Sequence, residues 1–298
     1  MSDNARGILI MIIGMSGFVV SDTIMKQITQ ELPLFQVIFL RHILMTIGLG
    51  VIACRSAVPV HLPQGRDRGL IALRILGDIG VTFAFLSALS LLSLGTATAI
   101  VQVQPLAVTL AAAVILKQPI GPRRLIAIMI GFGGVLLIVR PGSDAFGAPA
   151  LLALLAVAFV VLRDLSTRLI SSKMSTAFVA ALTSAGIMAA AGAMSLTAPW
   201  QMLNAGQAGL IIGSACLVMV GYLGVVAAMR IGDIAVISPV RYVSLVIALI
   251  LGFVFFQEVP GPLTLVGAAI VVATGLFTFF RESRSGGTPP LPPQTDRV

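Results

Sequence analysis

The sequence predicts an all-α polytopic membrane protein in which ten transmembrane helices form two inverted five-helix repeats. The 298 residues are 58% hydrophobic and 10% charged, with a mean hydropathy of +1.07. Soluble domains carry about 25% charged residues, so this chain has more apolar surface than a soluble fold could bury. Two further observations support the prediction: apolar segments long enough to cross a bilayer fill most of the chain, and its halves share similar segments.

Turn-forming residues divide the chain into ten apolar segments. Pro33, the loop 55–68 and the stretch 117–122 separate segments of the first half. Similar proline- and glycine-containing stretches separate those of the second half, and such residues end helices. The predicted spans are roughly 5–27, 34–54, 69–91, 95–116, 122–140, 148–170, 175–197, 206–229, 233–256 and 260–281.

The two halves carry related sequences at a nearly constant offset. "SDTIMKQI" (21–28) recurs as "RDLSTRLI" (163–170), and 121–137 recurs as 261–277. The offset stays between 137 and 142 residues. If each copy crosses the membrane five times, the second copy is inverted relative to the first, which is an architecture of alternating-access carriers.

The repeat predicts how the chain is organised. The first five-helix repeat should occupy residues 1–142, and the second, inverted repeat should occupy 146–283. The remaining segment, 284–298, is polar and proline-rich and should form a disordered cytoplasmic tail.

Charge placement predicts the orientation. Fourteen of the nineteen lysines and arginines fall on the side of the N-terminus, and only Lys26 and Arg140 fall on the other side. The other three, Arg41, Arg163 and Arg241, lie within spans and do not bear on the orientation. The positive-inside rule then places both termini in the cytoplasm. The net charge of +8 is therefore explained by topology, and no nucleic-acid partner is expected.

The motifs of membrane-embedded enzymes are incomplete. "LGD" at 76–78 is similar to the Gly-x-Gly-Asp of intramembrane aspartyl proteases, but Ile75 replaces the first glycine. His42 and His61 lack the further ligands of a zinc site. We therefore expect no enzymatic activity, no catalytic residue, no metal and no cofactor, whereas a channel or a non-transport membrane role stays an alternative.

Ionised side chains within the spans are the first candidates for function. A charge at the bilayer centre costs about 2.5–3.5 kcal/mol on insertion scales, so it must face a cavity or a partner. Asp78 lies near the middle of its span, where it could bind a substrate ammonium group or carry a proton. Alternatively it could pair with Arg41 or Arg241. Asp22 and Lys26, four residues apart, are expected to neutralise each other, and the equivalent Asp164 and Arg168 favour the same structural interpretation of both pairs.

Two proline-containing spans predict a site between the repeats. Pro105 and Pro239 each remove a backbone donor, and broken helices form substrate sites in such folds. Phe85 and Tyr222 align at an offset of 137 residues and could line the same cavity. The predicted substrate-binding residues are Asp78, Phe85, Gln102, Gln104, Tyr222, Ser238, Arg241 and Tyr242.

Both halves also resemble a known family. Residues 239–276 are similar to the closing signature of the EamA-type branch of the drug/metabolite transporter superfamily, and residues 104–142 match its first-half pattern. Gln118 departs from that pattern, because a glutamate is usual there, whereas Glu258 keeps the acid. The positions that match the closing signature are Pro239, Arg241, Tyr242, Gly252, Phe256, Glu258, Pro260, Gly267 and Gly275.

The resemblance implies ten helices in inverted repeats and the export of metabolites or drugs. One branch of the superfamily exports amino acids, so we expect a carrier for neutral or aromatic amino acids. Drugs or other metabolites are alternatives. The expected location is a bacterial-type inner membrane, and the expected partners are a small-molecule substrate, the lipid bilayer and, as an open alternative, a second copy of the chain.

Overall fold

The computed structural model describes residues 2–55, 64–118, 120–141, 147–170, 175–231 and 233–284, and within these ranges the regular structure is entirely helical. The α-helices are α1 (Asp3–Ile28), α2 (Leu34–Arg55), α3 (Arg66–Leu91), α4 (Leu94–Val101), α5 (Gln104–Ile115), α6 (Pro122–Val139), α7 (Ala148–Leu169), α8 (Thr176–Ser195), α9 (Ala205–Ile231), α10 (Ile234–Ile237), α11 (Val243–Phe256) and α12 (Pro262–Arg284). A 3₁₀ helix, Ser238–Tyr242, precedes α11.

The described helices account for ten membrane spans. Ten stretches are helical, apolar and at least 18 residues long when α4 is counted with α5, and the 3₁₀ helix with α11. The chain is therefore a multi-pass membrane protein, and the predicted number of spans is confirmed. α12 continues to Arg284, one residue into the predicted tail, and the rest of that tail lies outside the described residues.

Both proline-containing spans are interrupted. α4 ends at Val101, and α5 begins at Gln104 with Pro105 in its first turn. Pro105 has no N–H group to donate to the carbonyl of Val101, so the helix cannot continue regularly through this point. In the second half, Pro239 lies in the first turn of the 3₁₀ helix. The polar side chains of Gln102, Gln104 and Arg241 therefore lie at or beside the two interruptions.

The helices pair in a pattern that is unchanged when the two halves are exchanged. α1 packs on α9 and α3 packs on α7, while α2 packs on α8, α4 on α11 and α6 on α12. Exchanging the halves converts the first pair into the second and each of the other pairs into itself. A two-fold axis in the membrane plane produces this pattern. The division into repeats at 1–142 and 146–283 stays a prediction, which the pairing supports.

Contacts between equivalent residues point to the same axis. His42 Nδ1 lies 3.1 Å from Ser184 Oγ, and Gln102 Nε2 donates to Ser244 Oγ at 2.9 Å. The first pair is separated by 142 residues, the offset that relates α1 to α7, and the second pair joins the two interrupted spans. Side chains at equivalent positions touch only where they lie beside a symmetry axis, so the contact of His42 with Ser184 places the axis between α2 and α8.

Glycines let the paired helices approach closely. A Cβ atom at Gly17 of α1 would lie 2.8 Å from the carbonyl oxygen of Leu217 in α9. Likewise, a Cβ atom at Gly134 of α6 would lie 2.9 Å from the carbonyl oxygen of Gly267 in α12. Helices in lipid associate through such backbone contacts because apolar side chains gain little by leaving the lipid.

Candidate functional site

A cavity of about 550 Å³ lies between the two halves of the bundle. Its lining residues come from α1 to α5, α7 to α9, the 3₁₀ helix and α11, so both halves contribute. The volume falls within the range of about 300–1,000 Å³ that small-molecule sites occupy. The walls are largely apolar, so the few charged side chains that face the cavity are the main candidates for polar contacts with a ligand.

Most of the predicted binding residues share this cavity. Asp78, Phe85, Gln102, Gln104, Tyr222 and Arg241 line it. Ser238 and Tyr242 lie outside its wall. The Ser238 hydroxyl faces Met229 Sδ at 3.5 Å, and Tyr242 packs against α12 at Gly275, which has no side chain to obstruct the ring.

Gln102 connects the two interrupted spans. Its side-chain amide donates to Ser244 Oγ at 2.9 Å, and Ser244 Oγ donates in turn to the carbonyl oxygen of Arg241 at 2.8 Å. This chain of hydrogen bonds satisfies a carbonyl in the irregular segment around Pro239. It also fixes the backbone from which the Arg241 side chain enters the cavity.

Asp78 lies in a cluster of ions rather than alone. Its carboxylate is 3.3 Å from Nη1 of Arg163 on α7 and 3.8 Å from Nη2 of Arg74, one turn earlier on α3. Arg74 also donates to the hydroxyl of Thr167, which anchors it to α7. The expectation that Asp78 would pair with Arg41 or Arg241 is wrong, because the helix packed against Asp78 is α7.

Asp164 belongs to the same cluster. It accepts a hydrogen bond from Arg163 Nε at 2.8 Å and another from the Gln104 amide at 3.2 Å. Arg241 acts on it electrostatically from the 3₁₀ helix. The expectation that Asp164 would pair with Arg168, four residues later, is wrong, because Arg168 is exposed whereas Asp164 faces the cavity. We call Arg74, Asp78, Arg163 and Asp164 the α3/α7 ion cluster.

A second polar group lies on the opposite side of the cavity. Asp22 of α1 lines the cavity together with Arg41 and His42 of α2. Arg41 and His42 are 6% and 3% exposed. His42 contacts the Ser184 hydroxyl of α8 and lies 3.5 Å from an Arg41 nitrogen. Arg41 is the charged side chain that acts on Asp22, although no direct ion pair joins them in the described part of the chain.

Lys26 pairs with a residue of the second half and not with Asp22. Its ammonium lies 2.7 Å from Glu258 Oε1, donates to the carbonyl oxygen of Leu92, and lies 5.2 Å above the Phe256 ring. Glu258 Oε2 also accepts the N–H of Leu94, the first residue of α4, at 2.7 Å. The prediction of an Asp22–Lys26 pair is therefore wrong. Glu258 caps α4 and joins α1 to the end of α11.

The cavity is more highly charged than the sequence suggested. Asp78 and Arg241 were expected to be its only charges, yet the described lining residues contain three aspartates and four arginines. Sequence reasoning assigned Asp22 and Asp164 to partners one helical turn away and so removed them from the cavity. The signal was present, because the two aspartates align with each other in the repeat, and an inverted repeat places equivalent residues at equal distances from the midplane on opposite sides. Among the described residues, no group of three or more histidine, cysteine, aspartate or glutamate side chains could hold a metal ion.

Known proteins share the fold and parts of the sequence. An S-adenosylmethionine uptake transporter of Rickettsia prowazekii is 26% identical over 89% of this chain and 90% of its own length. A riboflavin transporter of Rhizobium johnstonii is 25% identical over 75% of this chain and 77% of its own. The pseudopaline exporter CntI of Pseudomonas aeruginosa is 23% identical over 89% of this chain and 93% of its own.

A solved crystal structure has the same fold, with a TM-score of 0.64 and 14% identity over 95% of this chain and 98% of that one. Residues 5–140 match the EamA-like transporter family. The relatives above align with both halves of the chain and are themselves transporters. By sequence, this multi-pass membrane protein is thus similar to EamA-like transporters over residues 5–140 and to transporters over both halves.

Proposed function

We propose that the protein is an alternating-access carrier that exports small zwitterionic metabolites, with neutral and aromatic amino acids as the leading substrates. The observation that carries this proposal is the charged cavity of about 550 Å³ between the two halves. A charge within the bilayer is costly unless it has a partner or performs a function, and the cavity collects seven of them. The transporter relatives support the part of the proposal that concerns membrane transport.

The balance of charge favours a zwitterion. The four arginines and three aspartates that line the cavity leave one excess positive charge when His42 is neutral. A zwitterion carries an ammonium and a carboxylate that each need a partner once water is removed, and this cavity offers both signs. Phe85 and Tyr222 add aromatic surface that suits an apolar or aromatic side chain.

A larger metabolite is the second candidate. The cavity has the volume typical of a drug-sized ligand, which exceeds what a single amino acid fills. The relatives are named for S-adenosylmethionine, riboflavin and pseudopaline. They also include both uptake and export proteins, so the direction of transport is part of the proposal.

Exchange in liposomes tests the proposed function. Purified protein is reconstituted with unlabelled phenylalanine inside, and the uptake of labelled phenylalanine, methionine and threonine is followed with and without a pH gradient. A carrier gives saturable counter-exchange, whereas a channel gives neither saturation nor exchange. Riboflavin and S-adenosylmethionine serve as competitors. Preference for these, or for phosphorylated solutes, over all three amino acids contradicts the amino-acid proposal.

The proposed location is the inner membrane of a bacterium with both termini in the cytoplasm. The described spans support an even number of crossings, and the positive-inside rule supports the orientation. Reporter fusions after residues 142 and 284 should report the outside and the inside, respectively. The same location for both fusions would contradict the scheme of five plus five spans.

A further inference from the structure

We propose that Asp22 and Arg41 form the subsite for the substrate's charged head group, in which Asp22 binds an ammonium and Arg41 binds a carboxylate. This inference rests on the proposed function and names which of the cavity's charges recognise the substrate. It assigns recognition to the α1/α2 side of the cavity instead of to Asp78.

The three cavity aspartates differ in how they are satisfied. Asp78 is paired with Arg163 and Arg74, and Asp164 accepts hydrogen bonds from Arg163 and Gln104. Asp22 makes no hydrogen bond or ion pair with any described residue, although it faces the same cavity. A carboxylate in an apolar bundle must have a partner or be neutral, so Asp22 is the acid that remains available for a ligand.

Arg41 is incompletely satisfied in the same way. Its side chain is buried, and its Nε has no hydrogen-bond partner in the described part of the chain. Its closest polar contact is His42 Nε2 at 3.5 Å, a long distance for a hydrogen bond. A buried guanidinium with free N–H groups that faces a cavity can bind a planar carboxylate through two parallel hydrogen bonds.

The two side chains act on each other electrostatically without touching, so they border one region of the cavity. An α-amino acid carries its ammonium and its carboxylate on one carbon atom. It could therefore contact an acid and a guanidinium that border one region of a cavity without touching each other. Binding would satisfy both protein charges at once. The substrate side chain would then extend toward Phe85 and Tyr222, which line the same cavity.

The packing around the subsite keeps it rigid. His42 and Thr46 hold the hydroxyl of Ser184 at 3.1 Å and 3.0 Å, which ties α2 to α8. On the other side, Ser21 of α1 contacts Ser214 of α9, with 2.9 Å between their hydroxyls. Asp22 and Arg41 therefore project from helices that are fixed independently of the ligand, and such preorganisation favours binding.

The test separates the two charges of the ligand. Binding to the purified protein is measured for L-phenylalanine, for phenethylamine, which lacks the carboxylate, and for 3-phenylpropionate, which lacks the ammonium. Asp22→Asn should weaken binding of the two ammonium compounds by about 10–100-fold, the loss expected for a charge-assisted contact. It should leave 3-phenylpropionate unchanged or tighter. Asp22→Glu, which keeps the charge, should retain the preference for ammonium compounds.

Arg41 should show the opposite selectivity. Arg41→Gln should weaken L-phenylalanine and 3-phenylpropionate but not phenethylamine, and Arg41→Lys should retain part of the carboxylate binding. Asp164→Asn is the matched control, because Asp164 aligns with Asp22 in the repeat but is already paired. It should change all three affinities by a similar factor.

The outcomes distinguish this subsite from the proposed function. If Asp22→Asn changes all three affinities equally, or only lowers thermal stability, Asp22 merely balances Arg41 and the subsite is overturned. Wild-type protein that binds none of the three compounds also overturns it. If phenethylamine binding depends on Asp22 but liposomes do not exchange phenylalanine, the subsite stands and amino-acid transport fails. If exchange is normal and unaffected by Asp22→Asn, amino-acid transport stands and the subsite is overturned.

Discussion

The contacts of α1 with α9 and of α3 with α7 occupy equivalent positions in the proposed repeats, yet the side chains that join the helices are uncharged in the first and ionic in the second. Gly17 of α1 approaches the Leu217 backbone, and at the equivalent positions Phe159 of α7 packs on Gly80 of α3. Each interface thus has a glycine opposite a large residue, but on opposite partners. Both pairs of helices approach closely, but the glycine lies on α1 in the first interface and on α3, the equivalent of α9, in the second.

The next equivalent contact shows how the ion cluster arises. In the first interface Ser21 meets Ser214 through hydroxyls 2.9 Å apart. In the second, Arg163 stands at the position of the α1 serine and Gly77 at that of the α9 serine. A Cβ atom at Gly77 would lie 2.9 Å from the backbone nitrogen of Arg163, so the two helices are in close contact here. Asp78 then pairs with Arg163. A few substitutions on a shared scaffold therefore convert a helix contact into a charged cavity wall.

The ends of α1 and α7 differ in the same sense. Lys26 is buried and paired with Glu258, whereas the equivalent Arg168 is exposed. Gln118 lies 140 residues before Glu258 and has no charge to offer. Among the described residues, the ion pair of Lys26 with Glu258 therefore has no counterpart at the equivalent positions of the other repeat, Arg168 and Gln118.

The largest effect should come from breaking that pair. Lys26→Gln leaves the Glu258 carboxylate partly buried without its cation, and such a loss costs about 3–5 kcal/mol. The apparent Tm of the detergent-solubilised protein should fall markedly. Arg168→Gln is the matched control at the exposed equivalent position, and it should change stability by less than about 0.5 kcal/mol. Equal effects of the two variants would mean that the two ends are not different.

Arg163→Gln should be the next most damaging change. It removes the common partner of Asp78 and Asp164. Asp78 then keeps its ion pair with Arg74, and Asp164 keeps its hydrogen bond from Gln104 and the electrostatic attraction of Arg241. We expect a loss of about 3 kcal/mol, at the lower end of the range for a broken buried pair because Arg74 remains. Adding Asp78→Asn and Asp164→Asn to this variant should restore part of the apparent Tm. No rescue would mean that Arg163 acts through packing against Gly77 instead of through charge.

A smaller effect is expected where α1 meets α9. Gly17→Ala places a methyl group 2.8 Å from the Leu217 carbonyl oxygen, and overpacking of this kind costs about 1–3 kcal/mol. Gly213→Ala is the control within the same helix pair, because no atom lies within 4 Å of the added Cβ atom. It should be neutral or slightly stabilising. The measurement is thermal unfolding of both variants beside the wild type.

The smallest effect should come from Ser21→Ala. The variant removes a hydroxyl that contacts the hydroxyl and the carbonyl oxygen of Ser214, and a hydrogen bond between neutral groups contributes about 0.5–1.5 kcal/mol. A larger loss, comparable to that of Arg163→Gln, would show that the serine contact and the ionic contact stabilise their interfaces equally. Thermal unfolding and phenylalanine binding should both be followed, since Ser21 neighbours Asp22.

Six of the eight binding residues predicted from the sequence line the cavity, but the partners of its charged residues were predicted incorrectly. Broken spans could be predicted at Pro105 and Pro239 because proline removes a donor wherever it lies. The i to i+4 spacing suggested that Asp22 would pair with Lys26, yet Lys26 pairs with Glu258, 232 positions further along the chain. In an apolar bundle a charged side chain pairs with the nearest opposite charge on a helix packed against it. Only the fold decides which helix that is.

By itself the sequence determined the ten spans, their interruptions and the repeat that aligns Asp22 with Asp164, because these follow from local hydropathy, proline chemistry and internal similarity. The tertiary structure decided that the two aspartates share one cavity, that Asp164 is paired while Asp22 has no partner among the described residues, and that Lys26 pairs with Glu258. These properties depend on which helices come into contact. That choice is made by close packing through glycine over long separations in the chain, which no local pattern specifies.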